Sequence, residues 1–208
     1  MSYLGSDVGS IGVGVVRVDA SGKIEQEFYE RHKGEPLGTL QKILAQIPAD
    51  AVQGVVRTGS GRESLAVGGT FIDPIVAGDE GTKSLVPDVR NIIYIGGGSF
   101  SLTQLDEHGT YHRSSINSAC ASGTGAFLDQ QATRLQVPPT ELAERAMRYD
   151  KRPPSVATRC AVFAKSDMIH LQQEGFSVEA IAAGLCAGLG NSTVDGLLGG
   201  RTITGKTA

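Results

Sequence analysis

Asp7 stands at the end of a predicted strand, and the small residues Val8-Gly9-Ser10 follow it. Backbone N–H groups in such a turn can hold phosphate oxygens, and a neighbouring carboxylate can hold Mg²⁺, usually through water. Residues 96–99, Gly-Gly-Gly-Ser, form a second such turn after another strand. Either turn alone is equally well explained as an ordinary glycine-rich turn. Two of them facing each other would clamp a triphosphate, and a dinucleotide-binding motif fits poorly because strands follow both turns.

Of the three cysteines, Cys120 lies just before a predicted helix, Cys160 lies at the start of another, and Cys186 lies within a third. A helix N-terminus favours an anion, so Cys120 and Cys160 are placed to act as thiolates. A [4Fe–4S] cluster usually takes four thiolates, which a two-fold dimer could supply as two from each subunit. From composition alone, plain interior cysteines are the simpler interpretation. Cys186 is most simply a small buried apolar residue.

Two other patterns suggest chemistry less strongly. Residues 200–207 match the P-loop pattern, but that motif needs a helix beginning at Lys206, and only Thr207 and Ala208 follow it. A polar tail is therefore expected. Asp167 and His170, three residues apart on a predicted helix, could form an acid–base pair, but an exposed or partner-facing surface is favoured.

The elements that position these residues follow from periodicity and turn signals. Alternating patterns predict strands in the first half, followed by a change to helical spacing. Ser177 is a predicted helix N-cap, and Gly175 a helix stop. The second block of strands echoes the first, and Pro87 and Asp88 interrupt the pattern between them. The predicted strands are 3–8, 12–19, 23–31, 52–56, 91–95, 100–106 and 110–116, and the predicted helices are 36–47, 124–136, 140–149, 160–174 and 178–198.

Composition excludes several classes of protein. The 208 residues carry a net charge of −3 and no basic tract, which argues against a nucleic-acid partner. The N-terminus does not resemble a signal peptide, and no apolar run is expected to approach membrane-spanning length. A cytoplasmic location with no membrane partner is expected.

Several motifs in series resemble one family: the activases of 2-hydroxyacyl-CoA dehydratases and the ATP-binding subunits of benzoyl-CoA reductase, of the BadF/BadG/BcrA/BcrD type. The two cysteine motifs are the most specific part, and the resemblance covers nearly the whole chain. The motifs are Asp7-Val8-Gly9-Ser10, Arg57-Thr58-Gly59-Ser60-Gly61-Arg62, Ile95-Gly96-Gly97, Cys120-Ala121-Ser122-Gly123-Thr124-Gly125 and Cys160-Ala161-Val162-Phe163-Ala164.

The resemblance implies an α/β, actin-like (RNase H-like) ATPase fold with two lobes, 1–88 and a partial 89–208. It further implies a homodimer whose subunits share one [4Fe–4S] cluster. ATP binding and hydrolysis would change the angle between subunits and send a low-potential electron to a partner dehydratase or reductase, or to a fused domain. A ferredoxin or flavodoxin would supply that electron.

The same resemblance assigns roles to residues. Cys120 and Cys160 would be cluster ligands, and Asp7 the catalytic carboxylate that helps to hold Mg²⁺ and ATP. The remaining nucleotide contacts would come from the first turn, the second turn and a loop close to both nucleotide and cluster, namely Gly9, Ser10, Gly96, Gly97, Gly123, Thr124 and Gly125.

Two departures from the family pattern stand out. The family continues its Gly-Gly with Gln-Asp, whereas this chain has Gly98 and Ser99. The missing carboxylate would help to place Mg²⁺ or the attacking water, so the resemblance leaves ATP hydrolysis open. The family also extends further, with an adenine-binding turn and a final helix, so this chain is expected to be a fragment or the leading part of a longer polypeptide.

Two alternative functions remain open. A non-hydrolysing nucleotide- or cluster-binding module of a larger protein would fit the lost Gln-Asp. A small-molecule kinase of the same superfamily would need a catalytic carboxylate between the lobes, and Ser99 occupies the expected position.

Overall fold

The computed structural model describes residues 1–48, 52–60, 68–116, 124–158 and 160–208. Its contacts divide the chain into two compact units, Met1–Pro87 and Asp88–Ala208. Among the described residues, the first unit mixes five strands with two helices, whereas in the second unit three strands are followed by four helices.

The first unit is built on a five-stranded mixed sheet. Its members are β1 (Ser2–Val8), β2 (Gly12–Asp19), β3 (Ile24–Arg31), β4 (Val52–Thr58) and β5 (Thr70–Phe71), in the spatial order β3-β2-β1-β4-β5. β1 pairs antiparallel with β2 and parallel with β4. Because β1 and β4 are parallel, their carboxyl ends meet at the same edge of the sheet, where Asp7 lies opposite Thr58.

Helix α1 (Pro36–Leu44) covers one face of this sheet. Alternate residues of β1 and β2 point toward it because side chains on a strand alternate between faces. Proline at the first helical position fits there, since its missing N–H would have no intrahelical partner. The resulting core comprises Leu4, Val8, Val13, Val15, Leu40, Ile43 and Ile47.

Two elements in this unit, β5 and helix α2 (Pro74–Leu85), were not predicted from the sequence. α2 contains two glycines, and none of its residues is buried, so it carries no apolar periodicity to detect. A local signal was nevertheless present. Asp73 accepts a hydrogen bond of 2.9 Å from the Ile75 amide as an N-cap, and Pro74 follows it.

The second unit begins with an antiparallel sheet in the order β6-β7-β8, formed by β6 (Asn91–Ile95), β7 (Phe100–Leu105) and β8 (Tyr111–Ile116). The tail at 205–208 pairs with the free side of β6. The Lys206 carbonyl accepts from the amides of Arg90 and Asn91, and the Ala208 carbonyl accepts from Ile93. The expectation that no P-loop helix forms is confirmed, but the tail is a paired segment of the sheet.

Four helices follow: α3 (Gly125–Arg134), α4 (Pro139–Met147), α5 (Ala161–Gln173) and α6 (Val178–Leu198). Ser177 caps α6 by accepting from the Ala180 amide at 3.2 Å, as predicted. Gly175 ends α5 with φ +86°, also as predicted. The helical core consists of Phe127, Ala132, Leu135, Val137, Leu142, Val156, Ala164, Met168, Ile181, Ala182 and Leu185.

α6 corrects one sequence-based expectation. By length and composition alone, this 21-residue helix could cross a membrane, although no apolar run of that size was anticipated. Ala180, Ile181 and Leu185 are buried in or beside the helical core, and the helix packs along α4. The buried residues of this helix therefore contribute to a protein core.

Candidate functional site

The first turn, Gly9–Gly12, joins β1 to β2 and is closed by a hydrogen bond of 2.9 Å from the Gly9 amide to the Gly12 carbonyl. Between these ends, the amides of Ser10 and Ile11 make no hydrogen bond to any described residue. Ser10 is exposed. The turn therefore offers two adjacent amide donors to an anion, as backbone phosphate sites do.

Asp7 lies immediately before this turn, at the carboxyl end of β1. Its side chain reaches solvent, yet the surrounding protein removes part of its hydration, and this desolvation raises the pKa of Asp7. A bound divalent cation would favour the ionised carboxylate and offset that cost. The carboxylate and the first turn thus form one small polar site.

The end of β4 completes the edge on which Asp7 lies. Thr58 is opposite Asp7, and its buried Oγ1 has no hydrogen-bond partner among the described residues. A buried polar atom without a partner costs free energy, and such atoms are found where a ligand or water completes the site. The next residue, Gly59, has φ +108°, and a Cβ there would lie 2.2 Å from the Val8 carbonyl oxygen. Only glycine allows the two strand ends to approach so closely.

The second turn, Gly96–Ser99, repeats the geometry of the first turn in the second unit. The Gly96 amide donates to the Ser99 carbonyl at 2.8 Å, again from the first residue to the fourth. The amides of Gly97 and Gly98 make no hydrogen bond to described residues. When the two turns are matched residue by residue, Tyr94 corresponds in sequence to Asp7, because each lies two positions before the first glycine.

The second turn is bonded directly to the start of α3. The amides of Gly125 and Ala126 donate to the carbonyls of Gly96 and Gly97, at 2.9 and 3.0 Å. A Cβ at Gly125 would lie 3.3 Å from the Gly96 oxygen, so the glycine permits a close approach. Thr124 is the N-cap residue and is fully buried. The structure therefore brings together four of the residues predicted to bind nucleotide, while Cys120 and Gly123 lie outside the described residues.

Cys160 is the N-cap residue of α5, with extended backbone, as the sequence predicted for a cysteine at a helix start. Its side chain is partly exposed. Val162 and Phe163 follow in the first turn of α5 and are 68% and 66% exposed, which leaves an apolar surface beside the thiol. Among the described residues, no group of three or more His, Cys, Asp or Glu side chains could hold a metal ion.

The segment that leads to Cys160 is fixed against α6. Thr158 Oγ1 donates to the Gly188 carbonyl at 3.0 Å and shares a 2.7 Å hydrogen bond with Ser192. Gly184 and Gly188 make this packing possible, because a Cβ at Gly184 would lie 2.5 Å from the Pro154 oxygen. The approach to Cys160 is therefore defined by backbone contacts with α6.

Asp167 contributes to the same segment. Its Oδ2 accepts a 2.8 Å hydrogen bond from the Ala157 amide. This contact gives Asp167 a structural role and places His170, which is exposed, outside any acid–base pair with it. The preference for a surface role on this helix is borne out for His170, whereas Asp167 holds the backbone.

Cys186 lies within α6 and is partly buried. Burial raises the pKa of the Cys186 thiol, so it favours the neutral form. A thiol held neutral is a poor metal ligand. Cys186 therefore differs from Cys160, which lies at a helix N-terminus.

Sequence reasoning assigned no role to Thr58 and Gly59, although both lie in a motif that carried the family resemblance. The available signal was a glycine directly after a buried strand, which indicates either a turn or a close backbone approach. What could not be read from the sequence is that this approach is made to Val8, beside Asp7.

The model of the BadF/BadG/BcrA/BcrD ATPase family matches residues 4–195. The 2-hydroxyisocaproyl-CoA dehydratase activator of Clostridioides difficile is 30% identical over 190 residues, which cover 89% of this chain and 71% of that protein.

Two solved structures are similar over nearly the entire chain. The activator of the 2-hydroxyisocaproyl-CoA dehydratase from Clostridium difficile, with bound ADPNP, superposes with a TM-score of 0.85 at 27% identity and covers 94% of this chain and 74% of that one. Component A of the (R)-2-hydroxyglutaryl-CoA dehydratase of Acidaminococcus fermentans superposes with a TM-score of 0.87 at 25% identity. The match covers 100% of this chain and 81% of that one. The fold is the α/β actin-like fold expected from sequence, and the chain belongs to the BadF/BadG/BcrA/BcrD ATPase family.

Proposed function

We propose that this protein is an ATP-dependent activator that passes a low-potential electron from a dimer-bridging [4Fe–4S] cluster to a 2-hydroxyacyl-CoA dehydratase or a benzoyl-CoA reductase-like partner. The observation that carries the proposal is the pair of hydrogen bonds from Gly125 and Ala126 to Gly96 and Gly97. They tie a phosphate-binding turn to a helix that begins just after the Cys120 motif.

The nucleotide would be held mainly by backbone groups. The unpaired amides of Ser10 and Ile11, and those of Gly97 and Gly98, are the available donors for phosphate oxygens. Asp7 would hold Mg²⁺, usually through water, beside the first turn. The ADPNP-bound relative supports nucleotide binding at such turns.

Coupling would run through the backbone of the second unit. A phosphate that displaces Gly97 or Gly98 pulls on carbonyls that accept from the first amides of α3. The helix start must then shift or lose those hydrogen bonds, each worth about 0.5–1.5 kcal/mol. A change of that size would bias the position of the start of α3, which follows the Cys120 motif in the sequence.

The described residues fit a shared cluster better than one held by a single chain. Cys160 is a partly exposed helix-starting thiol beside exposed Val162 and Phe163, a surface suited to a second copy. With Cys120, each subunit would supply two thiolates, and a homodimer would supply four. When bound, the cluster would provide the one-electron chemistry, which the side chains themselves lack.

The relatives support the class of partner. Activators of CoA-ester dehydratases among them support a dehydratase or reductase partner, or a fused domain. A ferredoxin or flavodoxin would donate the electron, in the cytoplasm. The exposed apolar start of α5 would lie at the interface between copies.

A second candidate is a module that binds nucleotide and cluster without hydrolysing ATP. It is favoured by the second turn, where Gly98 and Ser99 supply no carboxylate and Tyr94 occupies the position that corresponds to Asp7. Phosphoryl transfer to water needs a group that positions the nucleophile. A small-molecule kinase needs such a carboxylate as well, and the second turn offers none to it either.

Anaerobic purification, with iron and sulfide analysis and a visible spectrum, tests the cluster. The wild type should be brown and dimeric, with about four irons per dimer. A Cys120→Ala/Cys160→Ala variant should be colourless, whereas Cys186→Ala should keep its iron as the matched control. The cluster proposal fails if the reconstituted wild type is as colourless as the double variant.

ATP turnover, measured on the same preparation, separates the two candidates. An activator should hydrolyse ATP and transfer electrons to a dehydratase in the presence of a reductant. Tight binding of nucleotide without turnover would establish the non-hydrolysing module instead.

A further inference from the structure

The last turn of α3 is joined to the first turn of α5 by one arginine. Arg134 Nη1 donates to the carbonyl of Ala161 at 3.3 Å and to Gln131 Oε1 at 2.6 Å. Ala161 directly follows Cys160, the N-cap residue of α5. In a regular helix the carbonyl of Ala161 accepts from the amide four residues later, so it does not need the arginine as a donor. The hydrogen bond instead brings a permanent positive charge to the helix start at which Cys160 lies.

Gln131 holds this arginine from inside the protein. Its side chain is fully buried, at 0% exposure, and its Oε1 faces the guanidinium of Arg134. Only the amide oxygen can accept from arginine, so the orientation of the amide is fixed. The Nε2 atom of Gln131 then has no partner among the described residues. A buried amide nitrogen in this state costs free energy, and such atoms indicate that a further group completes the site.

The charge of Arg134 is not matched by a carboxylate either. None of the ion pairs between described residues includes it. An exposed arginine at a helix C-terminus needs no partner, because it interacts favourably with the dipole of that helix. Here, however, the same guanidinium is also bonded to the start of α5, which is the positive end of that helix. Two positive features at one place favour an anion there.

We infer that Arg134 is a positioning residue for the [4Fe–4S] cluster: it fixes the start of α5 that carries Cys160, and its charge raises the reduction potential of the cluster. The inference rests on the proposed function, because it requires a cluster at Cys160. Reduction by the one-electron donor adds one negative charge to a cluster that thiolates already surround. A nearby positive charge stabilises this reduced form more than the oxidised form.

Helix α3 links this charge to the second turn. The helix begins at Gly125, whose amide donates to the Gly96 carbonyl, and its last residue is Arg134. A displacement of the second turn that moves α3 would therefore move the guanidinium relative to α5. In the proposed activator, a nucleotide bound at the second turn would thus alter the reduction potential through one helix of 10 residues.

Arg134→Gln removes the charge but keeps a donor for the Ala161 carbonyl. In the anaerobically reconstituted 208-residue chain, the ratio of reduced to oxidised cluster at a fixed applied potential should fall by about threefold to tenfold, and tenfold corresponds to about 59 mV for a one-electron couple. Arg134→Lys keeps the charge and should stay within about twofold of the wild type. Arg148→Gln is the matched control, because it removes the same charge from an exposed arginine that is paired with Glu144. Redox titration followed by visible spectra measures the ratio, and iron analysis ensures that equal amounts of cluster are compared.

Every result bears on the inference. It is overturned if Arg134→Gln holds full iron and keeps the wild-type ratio, if Arg148→Gln lowers the ratio equally, or if Arg134→Lys behaves as Arg134→Gln does. Loss of iron from Arg134→Gln but not from Arg134→Lys supports the positioning role. If the wild type binds a cluster whose potential does not depend on Arg134, the inference fails and the proposed function stands. If the wild type binds no cluster, both fail.

Discussion

The backbone amide of Gly125 donates a 2.9 Å hydrogen bond to the carbonyl oxygen of Gly96, across 29 residues of chain. The first residue of a helix would otherwise leave its N–H without an intrahelical partner. Here the second turn provides the acceptor for that N–H. The position of the start of α3 therefore depends on the second turn, which binds the nucleotide in the proposed function.

Gly125→Pro tests this link. Proline is well tolerated at the first helical position, so α3 should persist, but its ring replaces the amide hydrogen and pushes the Gly96 carbonyl away. Nucleotide affinity should fall by about tenfold or more, from the loss of the hydrogen bond and the displaced turn. Gly125→Ala keeps the N–H and should lose less than about threefold. Equal effects of the two substitutions in titration calorimetry would argue against a role for the hydrogen bond.

Gly59→Ala should unfold the first unit. A Cβ at Gly59 would overlap the Val8 backbone, at 2.2 Å from its carbonyl oxygen, and the φ of +108° is unfavourable for alanine. We expect a loss of more than about 4 kcal/mol of unfolding free energy. Gly22→Ala is the control, because φ is +85° but nothing lies within 4 Å, and it should cost only about 1–2 kcal/mol. Chemical denaturation followed by circular dichroism compares them, and similar costs at the two positions would contradict the packing argument.

Asp7→Asn should raise stability at neutral pH while it weakens Mg²⁺-dependent nucleotide binding. Desolvation raises the pKa of Asp7 above its ordinary value of 3.8, so the folded state binds the proton more readily than the unfolded state. The stabilisation from this proton is complete below pH 3.8 and disappears as the pH rises through the raised pKa. At pH 7 the ionised Asp7 therefore destabilises the fold.

Melting temperatures measured from pH 3 to pH 8 check this expectation. The difference between Asp7→Asn and the wild type should be positive near neutrality and shrink on acidification. A variant that melts below the wild type at pH 7 would show that the carboxylate is stabilised by contacts rather than exposed to a desolvation cost.

Gly184 and Gly190 lie on the same helix, α6, and their substitution by alanine should have opposite effects on stability. A Cβ at Gly184 would lie 2.5 Å from the Pro154 carbonyl oxygen, so the segment leading to Cys160 must shift, at a cost of about 1–3 kcal/mol. Gly190 has nothing within 4 Å, and alanine there should stabilise α6 by about 0.5–1 kcal/mol. The melting temperature and the iron content, measured on the same preparations, should both fall for Gly184→Ala and not for Gly190→Ala. Stabilisation by both substitutions would mean that the segment is not held as described.

Most helices and most strands could be predicted from the sequence because their signals are local. Ser177 and Gly175 mark helix ends through short-range hydrogen bonding and left-handed geometry, and both act as predicted. Helix α2 was not predicted because none of its residues is buried, so it shows no apolar periodicity. Asp73 and Pro74 are nevertheless typical of a helix start.

The site was only partly predictable, because several of its contacts join residues that are far apart in the sequence. The residues of the first turn are neighbours in sequence, so their clustering follows directly. The contacts of Gly125 with Gly96, and of Gly59 with Val8, depend on how distant strands and helices are placed. The pairing of the polar tail with β6 was not predicted, because a sequence pattern does not indicate which strand edge is open.

That tail is secured from inside the sheet by one buried amide. Asn91 donates from Nδ2 to the Thr204 carbonyl and to Thr207 Oγ1, at 3.0 and 3.3 Å, while its Oδ1 accepts from Gln104 at 3.1 Å. A slip of the tail by one residue would leave this amide without its acceptors. Asn91 therefore acts as a register lock, and the segment that it holds shields the edge of β6 from edge-to-edge association with other chains.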